Sequence, residues 1–285
     1  LEDRQHAVFD HIAVATRLGE LLDAAPDEAG RDVVRHHQRR AAAAINRYLH
    51  RHPDEHAAVL DEIRHAGARH FPYPQLNANL AATLVVSFCF PPAVDTSGIV
   101  MAKRVHEYGQ IVDVISNNEN TAQLAFDEGT ERIAEELVDR HVYVKAPRVF
   151  TASWAAITTF ADLALGAAAG READHGPYRL VRSRAMWIAA HVPAALLRGR
   201  RPELRWSAEM SDPLSRDVHG HLRDAPLPPG DPVVIELRAA ARQRGREIPP
   251  TDHLGVFVEH VAYALADELV FTNPHQRDYM LGYCP

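Results

Sequence analysis

The hydrophobic rhythm of the chain changes once. Up to about residue 75, apolar positions recur at helical spacing: Ile12, Ala15, Leu18 and Leu22, then a stretch over 33–49, then another over 57–63. Pro26, Pro53 and the Phe71-Pro-Tyr-Pro74 stretch punctuate these segments, and no strand-like run interrupts them. From Leu80 the texture becomes strands alternating with helices. Residues 82–90 form a nearly continuous apolar run closed by Pro91-Pro92, the pattern of a central strand buried on both faces. The spacing then predicts a helix over 97–108, a strand over 111–115, a helix over 131–139 and a short strand over 141–144. Helices over 154–169 and 180–197 follow, then a strand over 204–209, helices over 232–244 and 255–267, and a last strand over 269–272. Such alternation builds right-handed βαβ units and a mainly parallel sheet. The expected architecture is therefore α/β: a Rossmann-like sheet with flanking helices over 76–285, preceded by an all-helical segment over 1–75.

In an open parallel sheet, ligands sit outside the carboxyl ends of the strands. That rule selects the loops 91–98, 116–120, 145–150, 210–219 and 273–276.

Composition narrows the function. A net charge of −7 over 285 residues gives no basic field to draw the chain to nucleic acid. The basic clusters Arg35-His36-His37 and Arg39-Arg40 read as a solvated helix face. Cys89 lies inside the apolar run and Cys284 near the end, a pair that makes neither a zinc pattern nor a disulfide framework. No run of about 18 apolar residues occurs, and the first residues lack the basic-then-apolar shape of a signal peptide. The expected location is the cytoplasm.

The candidate chemistry is dispersed. In the loop 90–98, small residues precede a helix, so Asp95, Thr96 or Ser97 could cap it. Equally, the free N–H groups there could bind an anion or a sugar hydroxyl. The loop matches neither a Walker A sequence nor a G-x-G-x-x-G fingerprint. If 180–197 is a helix, Ser183, Trp187 and His191 share one stripe, which suits a sugar ring or, alternatively, a core tryptophan with a satisfied histidine. Asp217, His219 and His221 have metal-like spacing but no further ligands, so no metal is expected. There is no G-x-S-x-G elbow for nucleophilic hydrolysis.

Three ordered blocks carry a resemblance. The first is the strand, Pro91-Pro92, the short polar loop with Gly98, then Met101-Ala-Lys-Arg104 and Gly109-Gln-Ile-Val-Asp-Val-Ile115. Next come Val181-Arg-Ser-Arg-Ala-Met186 with His191 and Pro202-Glu-Leu-Arg-Trp-Ser-Ala-Glu-Met-Ser-Asp-Pro213. The last is Ala266-Asp-Glu-Leu-Val-Phe-Thr-Asn-Pro-His-Gln-Arg-Asp-Tyr-Met280. Together they resemble the N-terminal, acceptor-side domain of family 4 glycosyltransferases of the GT-B type, over roughly residues 80–285. Many members have a Gly-Gly pair where this chain has Ser97-Gly98.

The resemblance implies a retaining transfer of sugar from a nucleotide-sugar donor to an acceptor hydroxyl, in cell-envelope or exopolysaccharide synthesis. It needs no metal or other cofactor. It implies His191 and Asp212 as catalytic candidates, and Asp95, Ser97, Gly98, Ser183 and Glu209 as acceptor-binding ones. The partners would be the nucleotide sugar and a glycan or lipid-linked acceptor, with peripheral association at the inner face of the membrane. The donor-side half, marked in the family by a repeated Glu near a Gly-rich loop, would follow Pro285, and this chain alone would be inactive. Two alternatives stay open: a GT-B-fold nucleotide-sugar epimerase, and a non-catalytic module whose helical N-terminus recruits a partner.

Overall fold

A computed structural model describes residues 2–25, 27–118, 125–147, 153–185 and 187–283, with side chains from Ala7 onward. Glu119, Asn120, the segment 148–150 and Met186, which the sequence reading placed in candidate loops or blocks, lie outside the described residues. The chain divides into two compact units. One comprises residues 1–81 with 105–112 and 134–140; the other comprises 82–104, 113–133 and 141–285.

The first unit is built on two long helices, α1 (Glu2–Ala24) and α2 (Glu28–Leu49), packed along each other. Asp27 starts α2 by accepting from Gly30 N at 2.7 Å, an N-cap that satisfies one of the helix's orphan donors. Ile45 and Leu49 on α2 and Ile12 and Ala15 on α1 are buried, as their spacing requires. Two shorter helices follow, α3 (His56–His65) and α4 (Tyr73–Leu76). A buried polar knot ties them. Asn46 donates to Leu76 O at 2.8 Å, and Asn77 Oδ1 bonds His56 Nε2 at 2.8 Å. Burial holds the His56 imidazole below its usual pKa, so this bond is made by a neutral ring. No strand forms among the described residues of 1–81.

Six parallel strands form one sheet in the order β3-β2-β1-β4-β5-β6. They are β1 (Thr83–Val86), β2 (Val112–Asn117), β3 (Val138–Val144), β4 (Leu180–Arg184), β5 (Arg205–Met210) and β6 (Glu268–Phe271). The connecting helices are α5 (Thr96–Tyr108), α6 (Trp154–His175), α7 (His191–Arg200), α8 (Pro232–Gln243) and α9 (Leu254–Leu265), and α10 (Pro274–Tyr283) follows β6. As its apolar run predicts, β1 is central, paired with β2 and β4 and buried throughout. Leu84, Val86, Ile115, Val181, Trp206 and Ala208 from four strands pack with α6, α7 and α9 into one core. Asp113 of β2 is fully buried, yet its carboxylate accepts from Arg171, His175 and Tyr178, which keeps the charge paired.

Several boundaries differ from the periodicity. The expected helix over 180–197 divides into β4, a 3-10 turn over Ile188–Ala190, and α7. The expected helix over 131–139 is two 3-10 turns, Glu128–Ile133 and Glu135–Leu137, leading straight into β3. Regular pairing in the first strand ends at Val86, and residues 87–90 continue as irregular chain. Among the described residues no helix is long and apolar enough to cross a membrane.

Candidate functional site

The strand order reverses direction between β1 and β4. From β1 the chain leaves toward α5 and β2; from β4 it leaves toward α7 and β5. The ends of the strands on this side are where a doubly wound sheet receives ligands.

After β1 the chain makes a cis Pro91-Pro92 peptide and enters α5. Asp95 Oδ1 accepts from Gly98 N at 3.0 Å, so Asp95 carries the cap of this helix. A Cβ on Gly98 would come within 2.8 Å of Cys89 O, so only glycine lets the helix start lie directly against the backbone of the first loop. Asp95 and Ser97 are buried. Of the two readings of this loop, the structure displays the cap.

Beyond β4, Ser183 and His191 do not share a helix stripe. Ser183 is the fourth residue of the strand and His191 opens α7, yet their side chains meet: Ser183 Oγ lies 2.7 Å from His191 Nδ1. Trp206 Nε1 donates to the same hydroxyl at 2.8 Å, and His191 Nε2 lies 3.3 Å from Met210 Sδ. His191 has no exposure, and burial depresses its pKa to about 3, so the ring is neutral. This network pins β4, β5 and α7 together inside the core. Trp187, which the stripe grouped with these residues, stands apart in the turn between them.

On the other face of β4 and β5, Arg184 is ion-paired with Glu209, and Arg104 of α5 donates to the same carboxylate at 3.4 Å. Glu209 is thus buried between two guanidinium groups. The remaining partners on this face, Arg182, Ser207 and Glu268, continue the polar ladder across to β6.

A cleft of about 760 Å³ opens at the carboxyl ends of β4, β5 and β6, within the usual range for small-molecule sites. Trp187 and Ile188 after β4 form one wall, and Thr272, Asn273, Gln276 and Tyr279 after β6 form another. Between them runs the segment after β5, with Ser211, Asp212, Arg216 and Arg223. Local chemistry fixes these walls. Asn273 caps α10 through Gln276 N at 2.9 Å, while Gln276 Oε1 accepts in return from Thr272 N, the residue before the cap, at 2.8 Å. Gln276 Nε2 also reaches Ser211 O at 2.5 Å, joining two walls. From α9 the buried Glu259 accepts from Leu214 N, Ser215 N and Ser215 Oγ at 2.7, 3.1 and 2.7 Å.

Within the cleft, Asp212 is solvent-exposed, and its carboxylate makes no hydrogen bond or ion pair with the described residues. Arg216 stacks on Tyr283, with its guanidinium 4.5 Å from the ring centroid. Ser211 Oγ is buried at the cleft with no hydrogen-bond partner among the described residues. Asp217, grouped with His219 and His221 in the sequence, accepts instead from the backbone N–H of both, each at 2.9 Å, and so shapes its own turn.

Of the residues the sequence singled out as site candidates, Asp212 lines the cleft, whereas Asp95, Ser97, Gly98, Ser183, Glu209 and His191 do not. Arg216, Arg223 and Tyr279 were not singled out. Tyr279 had a readable signal, since it follows Gln276 by three positions on one helix face. Comparison with protein-family models, with curated proteins and with solved structures gives no match.

Proposed function

We propose that this chain carries the acceptor-side half of a GT-B-type glycosyltransferase, and that the acceptor hydroxyl is seated in the cleft at the ends of β4, β5 and β6. One observation carries the reading. The second and third family-like blocks lie some 50 residues apart in sequence, yet Asp212 from one and Asn273, Gln276 and Tyr279 from the other face one cleft, together with Trp187. The arrangement suits a saccharide: two aromatic side chains can cover the apolar face of a ring, while amide and carboxylate groups bind its hydroxyls.

In this reading the donor's nucleotide is held by a second Rossmann-like domain that closes over the cleft and excludes water. The acceptor oxygen bonds to the anomeric carbon as the bond from that carbon to the diphosphate oxygen breaks. The acceptor proton passes to Asp212, the carboxylate in the cleft that is free to take it. His191 has an indirect part, holding the Ser183 side of β4 and the start of α7 so that the intervening turn presents Trp187.

The test is sugar transfer by the natural protein containing this chain, using Asp212→Asn and Trp187→Ala. Asp212→Asn should lower turnover by about 10²-fold or more, the scale of a lost general base, without shifting the unfolding midpoint. Trp187→Ala should raise the acceptor KM. Unchanged turnover and KM in both variants would remove the cleft from the reaction.

A further inference from the structure

The N-terminal helical unit has a groove of its own, independent of the cleft above. About 570 Å³ in volume, it lies among the end of α1, the first half of α2 and the segment around His70 to Gln75. Arg31, Arg35 and Arg39 line it at i, i+4 and i+8, so their guanidinium groups descend one face of α2. We propose that this groove docks an acidic segment of a partner protein, bound in extended form with carboxylates at alternate positions.

Charge selects the class of partner. The chain as a whole is negative, yet α2 holds five arginines against two carboxylates, Glu28 and Asp32. Those carboxylates sit at the N-terminal end, where they engage Arg31 and Arg35. Asp23, the acidic group in the groove, is taken by Arg69 and His70 at 3.1 and 2.9 Å. The positive φ of His70, 52°, is the backbone conformation from which its ring makes that contact. Arg39 is exposed and has no side-chain partner among the described residues, leaving a fork of donors suited to a carboxylate.

Spacing selects the conformation. Four residues of helix rise about 6 Å, so the three arginines repeat at about that interval. Alternate side chains of an extended strand repeat at about 6.6 Å, close enough for flexible arginines to follow over three contacts. An extended peptide also has unsatisfied backbone groups, and the amide of Gln75 faces the groove with no protein partner among the described residues. A helical partner, whose interior backbone groups are already paired, could meet that amide only through its side chains.

The experiment is fluorescence anisotropy of labelled peptides on the whole chain. One peptide carries Glu-Ser-Glu-Ser-Glu; a second has the same composition with its glutamates contiguous. The alternating peptide should bind at least about fivefold more tightly, and Arg39→Ala or Arg35→Ala should each cost about fivefold, the scale of one well-aligned Arg–carboxylate contact. Binding should weaken as salt rises. Arg39 makes no side-chain hydrogen bond or ion pair with the described residues, so its variant should keep the wild-type unfolding midpoint. Equal affinity for the two peptides, indifference to both arginine replacements, or tighter binding of inorganic tripolyphosphate than of the alternating peptide would overturn the proposal.

Discussion

Glu259 gives the sharpest forecast because its carboxylate ties the middle of the cleft to the core through several hydrogen bonds. It is completely buried on α9, and Oε1 accepts from Leu214 N and Ser215 N while Oε2 accepts from Ser215 Oγ. Tyr283 OH adds a longer bond of 3.2 Å. Glu259→Ala removes the acceptor and leaves two backbone N–H groups buried without partners. Each stranded donor costs about 1–3 kcal/mol, and the vacated space adds to the loss. The total is about 4 kcal/mol or more, a large part of the ~5–15 kcal/mol that holds a typical domain together. Glu259→Gln is different. Its carbonyl can keep both backbone donors, and its amide can donate to Ser215 Oγ, so chiefly the charge assistance is lost, about 1–2 kcal/mol. Urea unfolding followed by tryptophan fluorescence would rank the two variants. An alanine variant within about 1 kcal/mol of wild type, or a glutamine variant as damaged as alanine, would refute the reasoning.

Two other substitutions follow from the same geometry. Gly98→Ala places a methyl 2.8 Å from Cys89 O, so it should destabilise by about 1–3 kcal/mol, measured as a drop in urea midpoint; no drop would mean that the helix start is not held against the loop. For His191 the folded pKa is depressed to about 3, below the unfolded value of about 6.5, so the unfolded chain binds the extra proton. Its contribution is therefore fully present above about pH 6.5 and is lost as pH falls toward 3, at up to about 1.4 kcal/mol per pH unit. The slope of stability against pH in that window should flatten in His191→Gln, and an unchanged slope would contradict a neutral buried ring.

The sequence made the parallel sheet legible through its apolar runs: β2, β5 and β6 lie within about two residues of where periodicity put them, and β1 begins where expected but ends four residues early. It hid β4. Leu180-Val-Arg-Ser-Arg184 has too few apolar residues to read as a buried strand, and it runs into the apolar stretch of α7, which together mimic one long helix. The polar residues are tolerated because their partners come from elsewhere: Glu209 for Arg184, and His191 with Trp206 for Ser183. Local pattern cannot show such distant compensation. Since β4 flanks the point where the sheet reverses, missing it also removed its following turn from the candidate loops, and with it the wall formed by Trp187 and Ile188. The loops after β5 and β6 were selected by the strand-end rule, and they do line the cleft. Side-chain exposure was not legible: Asp212 and Glu209 stand three residues apart in one motif, one open to solvent and the other clamped between arginines.

The most direct test of the acceptor-side reading uses the three tryptophans as reporters, because Trp154 and Trp206 are buried in the core whereas Trp187 is half-buried at the cleft. Indole N–H resonances of the whole chain would be followed while oligosaccharides and, separately, nucleotide sugars are added. The account predicts that saccharides shift the Trp187 signal at millimolar concentration, that Trp154 and Trp206 stay in place, and that nucleotide sugars leave all three unmoved. Micromolar binding of a nucleotide sugar, or a Trp187 signal indifferent to every saccharide tried, would contradict it.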